Sequence, residues 1–136
     1  MKLYIDGEWN SYKGELISMA LVSNEGHEWY QVLQVECELD SWVLENVIPK
    51  LGKQPIPYRE MQSSLEVFLS QFDSVHIIAD WPEDIARFCD LLVTGAGERI
   101  NTPPLTLEIL RVDSVSVNPH NALADAIGLM KYVEVK

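Results

Sequence analysis

The chain has 136 residues, 47% of them hydrophobic, which is enough for the core of one domain spanning residues 1–136. Its formal net charge of -11, from 21 acids against 10 bases, excludes long-range attraction to nucleic acid unless a bound cation supplies positive charge where a phosphate sits. No apolar run approaches the ~20 residues of a membrane span, and no basic region leads into an apolar one at the N-terminus, so no membrane partner and a cytoplasmic location are expected.

Residues 1–6 read as a strand buried on both faces. The strand runs into two acids one residue apart, Asp6 and Glu8, in the stretch LYIDGEWN. Residues 15–23, ELISMALVS, form a second apolar strand, and 28–36, EWYQVLQVE, alternate like a half-exposed third. NEG at 24–26 supplies a hairpin turn between the last two, so the three strands are expected to pair antiparallel. Ser41 is the expected cap of a short helix, WVLENVI, which Pro49 stops. The segments KQPIPY at 53–58 and NTPPL at 101–105 read as loops inside the domain.

A helix is predicted over 59–71, where Ser63-x-x-Glu66 matches a capping box and would place a start inside it. VHIIAD at 75–80 is a short apolar strand ending in Asp80. Pro82 fits the first turn of a helix over 82–93, which GAG at 95–97 ends. LEILRVD at 107–113 is the last predicted strand, and Asn118-Pro119 opens a final helix through about residue 132. Short early turns imply antiparallel pairing, and strands separated by helices imply parallel crossovers. The expected fold is α/β: a mixed five-stranded sheet with helices on both faces, its first strand and the strand at 75–80 central.

Ligands of open α/β sheets bind beyond the carboxyl ends of the strands. Two central strands finish in acids there: Asp6 and Glu8 share one face of the first, because side chains alternate, and Asp80 ends the other. HNALADA at 120–126 brings His120 to the start of the last helix and Asp125 about a turn further in. Five residues on a helix turn through ~500°, so the two reach one cleft only if His120 lies in the preceding loop. Ala122, Ala124 and Ala126 keep that helix slim enough to approach the sheet closely. Four carboxylates suit hard dications, Mg²⁺ or Mn²⁺, and two such ions can clamp the attacking and leaving oxygens of a phosphoryl displacement. A neutral imidazole can accept the proton of the attacking water.

Asp6-x-Glu8, Asp80 after an apolar strand, and His120-x-x-x-x-Asp125 together resemble the DEDDh family of 3′–5′ exonucleases, which have an RNase H-like fold. The likeness covers nearly the whole chain, and DGEWNSYKGELISMAL resembles small bacterial and phage exoribonucleases of that family. The resemblance implies a single-stranded RNA or DNA 3′ end as substrate and two Mg²⁺ or Mn²⁺ ions as cofactors. It makes Asp6, Glu8, Asp80 and Asp125 metal ligands, with Glu8 and His120 catalytic and His120 the general base. Trp9 matches a position that contacts the terminal nucleotide, and Trp81, beside Asp80, is the second aromatic to test. The second motif departs from the family pattern. It reads HIIADWPED, with Ala79 before Asp80 and Trp81 after it, and Asp84 competes with Asp80 as the ligand.

Taken singly, each feature has a plainer meaning. An Asp-x-Glu pair is usually a solvated strand end, and a first-turn acid such as Asp125 is favoured by the helix dipole. Trp29 and Trp42 read as packing residues, and His27 and His76 as structural, with no acid at useful spacing. Cys37 and Cys89 match no metal spacing and are expected to be reduced core thiols. A catalytically inactive RNase H-like binding module, a phosphatase acting on small phosphoesters, and a homodimer are all compatible with the same residues.

Overall fold

The computed structural model describes residues 1–112 and 119–134. Strands β1 (Lys2–Trp9), β2 (Leu16–Val22) and β3 (Glu28–Val32) come first, followed by helix α1 (Ser41–Asn46) and a 3-10 turn at Ile48–Lys50. Helix α2 (Tyr58–Leu69), strand β4 (Val75–Ala79) and helix α3 (Pro82–Leu92) come next. A small hairpin, β5 (Val93–Gly95) and β6 (Glu98–Arg99), precedes β7 (Leu105–Ile109) and helix α4 (Ala122–Glu134). The main sheet has five strands in the order β3-β2-β1-β4-β7. As expected, β1 to β3 pair antiparallel, and β4 pairs parallel with β1 and β7. The architecture is therefore α/β with a mixed sheet, and β1 and β4 are central. Among the described residues, no helix is long and apolar enough to cross a membrane.

The two sheet faces carry separate cores, which explains why β1 and β2 read as unbroken apolar runs. Leu3 and Ile5 join Met19, Leu21 and Ile77 under α2 and α3, where Met61, Leu65, Phe88 and Leu91 are buried. Tyr4 faces the other way, with Ala20, Val22 and Ile78, against Ala122, Ala126 and Leu129 of α4. Alternation along β1 then puts Asp6 and Glu8 on the α4 side and Gly7 on the α3 side.

Several expected boundaries move. Asp40, not Ser41, caps α1: its side chain accepts from the Trp42 backbone N–H at 2.9 Å. Helix α2 starts at Tyr58 after Pro57, so the capping-box match at Ser63 lies inside a continuous helix. Its buried face, Met61, Leu65 and Leu69, needs the whole length, and tertiary packing overrides the local motif. GAG does not terminate a helix. It belongs to the β5–β6 hairpin, where Gly97 takes φ +69. The last strand is Leu105–Ile109 instead of 107–113, and Asp113 lies outside the described residues. The last helix begins at Ala122, its Asn121 side chain accepting from the Ala124 N–H at 3.0 Å; Asn118 too lies outside the described residues.

Two further expectations change. Cys37 and Cys89 are free thiols, but both are half-buried at the periphery and outside the core clusters. His76 does have an acidic partner, since its Nε2 lies 2.7 Å from Glu108 Oε1 on the neighbouring strand. The two residues meet across the parallel β4–β7 pair, where sequence spacing carries no signal.

Candidate metal centre

The site forms where β1 outruns its neighbour. Parallel pairing with β4 runs from Lys2↔His76 to Tyr4↔Ile78, while β1 continues to Trp9 along β2 alone. Beyond that point the carboxyl end of β4 delivers Asp80, and the first turn of α3 delivers Asp84. The β1–β2 register slips between Glu8 and Trp9, a bulge that re-aims the strand just after its second acid. On the α4 side, the helix's first turn supplies Asp125.

These elements bring five carboxylates together. One oxygen each from Asp6, Glu8 and Asp125 lies within 4.8 Å of the others, and the same holds for Asp6, Asp80 and Asp84. Asp6 is common to both groups. The sequence-derived ligands Asp6, Glu8, Asp80 and Asp125 are thus all present, and Asp84 joins Asp80 instead of replacing it. Asp84 is only 1% exposed. Its Oδ1 accepts from the Gly7 backbone N–H at 3.1 Å, so the residue between the two acids of β1 holds the fifth one. A Cβ at position 7 would stand 3.6 Å from that oxygen, and a bulkier side chain would displace it.

Burial and mutual repulsion make these groups hold their protons. Desolvation first, then the charge of Asp84 and the other acids, pushes the Asp6 carboxyl well above its ordinary range. Glu8 is raised to about 8 by burial and then by Asp125. Asp84 is raised to about 8 by burial and then by Asp80, although the Gly7 N–H pulls the other way. Asp6 Oδ2 and Asp84 Oδ2 are fully buried and have no hydrogen-bond partner among the described residues. A buried carboxylate oxygen without a partner is costly, and an all-oxygen set around such atoms fits a hard divalent cation. The donor set fits a hard divalent cation, and each of the two overlapping triads could hold one.

His120 lies in the turn before α4, at φ +70, which is the placement needed for it to share a cleft with Asp125. Its backbone N–H donates to Asp125 Oδ2 at 3.1 Å. Its ring meets Trp42 of α1 edge to face, with centroids 4.9 Å apart and planes at 82°. Trp9 is half-buried, and the Arg87 guanidinium sits 5.8 Å from its ring centroid. Trp81 is exposed at the mouth, its indole N–H reaching Glu83 at 3.4 Å. A cavity of about 490 Å³ lined by Leu16, Gln34, Tyr58 and Arg87 among others contains none of the five carboxylates.

Sequence reasoning missed two residues here. Trp42 was expected to pack, yet it is half exposed and touches His120. Asn10 ties the chain after Glu8 to the segment before α1: its Oδ1 accepts from the Asp40 N–H at 2.8 Å and its Nδ2 donates to the Glu38 carbonyl at 3.0 Å. Neither contact leaves a local signature. A scan of protein-family models finds no match to the chain, and no curated protein sequence matches it.

Proposed function

We propose that this protein is a metal-dependent 3′–5′ exonuclease with an RNase H-like fold, of the DEDDh type, acting on single-stranded RNA in preference to DNA. The observation that carries the reading is the shared carboxylate: Asp6 belongs to both triads, and its buried Oδ2 has no hydrogen-bond partner among the described residues. The sheet order and mixed strand directions support the same reading, as does the recurrence of the DxE, Asp and HxxxxD elements around one cleft.

In this reading Asp6, Glu8 and Asp125 hold one Mg²⁺ or Mn²⁺, and Asp6, Asp80 and Asp84 hold the other. When bound, such ions supply the positive charge that draws a phosphodiester to an acidic protein and stabilises charge on the attacking and leaving oxygens. The remaining work falls to the chain. His120, in its turn beside Asp125, accepts the proton of the attacking water, and Glu8 orients that water. Trp81, exposed beside Asp80, offers a ring to the terminal base, where stacking is worth ~1–3 kcal/mol per base. Trp9 follows Glu8 but holds its ring against Arg87 of α3, and takes part in substrate contact only with the face that Arg87 leaves. The buried Gly7–Asp84 hydrogen bond ties the second triad to β1.

The test is hydrolysis of a 5′-labelled RNA, a matched DNA oligomer and an aryl phosphate ester in Mn²⁺. A ladder shortening from the 3′ end of the RNA, with release of 5′-mononucleotides, is the expected result. Asp6→Asn and His120→Ala should each abolish it with the fold retained by circular dichroism. Full activity in EDTA sinks the two-ion reading, and turnover of the aryl ester alone moves the protein to the small-substrate phosphatases. An inert binding module would show no stoichiometric Mn²⁺ site by calorimetry.

A further inference from the structure

We infer that Trp42 is a positioning residue for His120, and that the arm running from Asp40 to Leu51 exists to hold the histidine turn over the metal centre. The inference rests on the reading of His120 as the general base, and it goes beyond the acids and histidine that reading requires. Four observations converge on it.

First, the backbone N–H of His120 donates to Asp125 Oδ2 at 3.1 Å, which fixes the turn but not the imidazole. An imidazole attached to a residue at φ +70 still has its own side-chain torsions to settle. Second, the Trp42 ring meets that imidazole edge to face at 4.9 Å, a geometry that aromatic pairs favour. Third, the arm grips the turn on both sides of the histidine. Lys50 Nζ donates to the Pro119 carbonyl at 3.1 Å, and Asn121 Nδ2 donates to the Lys50 carbonyl at 2.6 Å. Tyr30 adds a bond from its hydroxyl to the Leu51 carbonyl at 2.6 Å. Fourth, the arm is itself registered to the metal strand, because Asn10, two residues past Glu8, binds both Glu38 and Asp40.

The packing of α1 separates this role from a structural one. The helix is anchored by Val43, which with Val47 is buried against Ile17. Trp42 itself is 50% exposed, far more surface than a core tryptophan leaves open. Its indole therefore contributes little to the core and makes its specific ring contact with the one residue proposed to move a proton. A misplaced base is expensive: displacement by about 1 Å can cost ~100-fold in rate.

The experiment compares Trp42→Ala, Trp42→Phe, His120→Ala and the double variant Trp42→Ala/His120→Ala. Trp42→Ala should lower kcat about tenfold, an order-of-magnitude figure for a loosened base, with KM and Mn²⁺ affinity nearly unchanged. Trp42→Phe should restore most of the rate. In the His120→Ala background, removing Trp42 should cost nothing further, because residues acting as a unit are not additive. A second readout needs no activity. The chain has 3 histidines, so their imidazole proton resonances are readily separated. The His120 signal should carry a ring-current displacement that Trp42→Ala removes and Trp42→Phe keeps. Unchanged kcat in Trp42→Ala alongside an inactive His120→Ala overturns the inference and leaves the exonuclease reading intact. A rise in KM at constant kcat also overturns it, assigning Trp42 to substrate contact. A wild-type protein inert toward every phosphoester removes the exonuclease reading, and the positioning role falls with it.

Discussion

At the scale of single residues, the molecule's most consequential choice is to bury Asp84 beside Asp6. Without a cation these groups hold protons more tightly in the folded protein than in the unfolded chain, where carboxyls titrate near pH 4. The folded state therefore binds the excess protons between about pH 4 and the values of about 8 reached by Glu8 and Asp84. The contribution of these groups to stability is greatest below that window and is lost as pH rises through it. Thermal melts in EDTA should show Tm falling from pH 5 to pH 8. Asp84→Asn should flatten that fall and raise Tm at pH 8, since an amide oxygen can still accept from the Gly7 N–H. Adding Mn²⁺ at pH 8 should raise the wild-type Tm by several degrees. A pH-independent Tm, or one indifferent to Mn²⁺, would show that no cation answers this repulsion. The sequence made Asp6, Glu8, His120 and Asp125 legible because each lies in a short motif. It left Asp80 and Asp84 as rivals even though α3 starts at the expected Pro82, because the resemblance assigns one acid to the second motif and sequence spacing does not show that oxygens of both come within reach of Asp6. The His76–Glu108 pair was invisible, its members being joined only by sheet register.

At the scale of elements, α4 shows what the alanines of HNALADA are for. Ala122 and Ala126 are fully buried against Tyr4 and Ala20 at the sheet's centre. Their small size lets Asp125 come within reach of β1. Ala126→Leu should overpack this contact and destabilise the protein by about 1–3 kcal/mol in urea denaturation. It should also weaken Mn²⁺ binding, because the helix must move away from Asp6 and Glu8. Wild-type Mn²⁺ affinity in that variant would show that the spacing of α4 does not set the site. The larger elements were legible from apolar periodicity, as was the start of α3 at Pro82, but the β5–β6 hairpin and several other ends were not. GAG looked like a helix terminator, but the chain leaves α3 directly into extended backbone at Val93, a β-branched residue. The terminal carbonyls are met from elsewhere, by Gln62 Nε2 donating to Leu91 at 3.1 Å and to Val93 at 2.9 Å. No pattern local to residues 93–97 reports a side chain on α2.

At the scale of the whole molecule, a formal charge of -11 is compatible with the proposed nucleic-acid substrate only if cations occupy the carboxylate cluster. A single-stranded oligonucleotide should show no measurable affinity for the protein in EDTA, and affinity should appear when Ca²⁺ or Mn²⁺ is added to an Asp125→Asn or wild-type protein under non-hydrolysing conditions. Binding in EDTA that weakens steeply with salt would instead indicate a basic surface that the composition does not provide. The mixed five-stranded sheet with β1 and β4 at its centre was legible from the alternation of strands and helices. The closure of the Asp40–Leu51 arm onto the turn before α4 was not, since it joins segments far apart in sequence through single hydrogen bonds and one ring contact. That distance has a consequence in time. The first triad draws on residues 6, 8 and 125, so it cannot exist until α4 has docked on a sheet whose first strands are made long before. During synthesis, when chains fold from the N-terminal side as they emerge, the proposed exonuclease would lack its first carboxylate triad until residues 122–134 had emerged, while still tethered to the RNA-rich machinery that makes it. Completion of the fold and onset of the proposed chemistry would then be a single event.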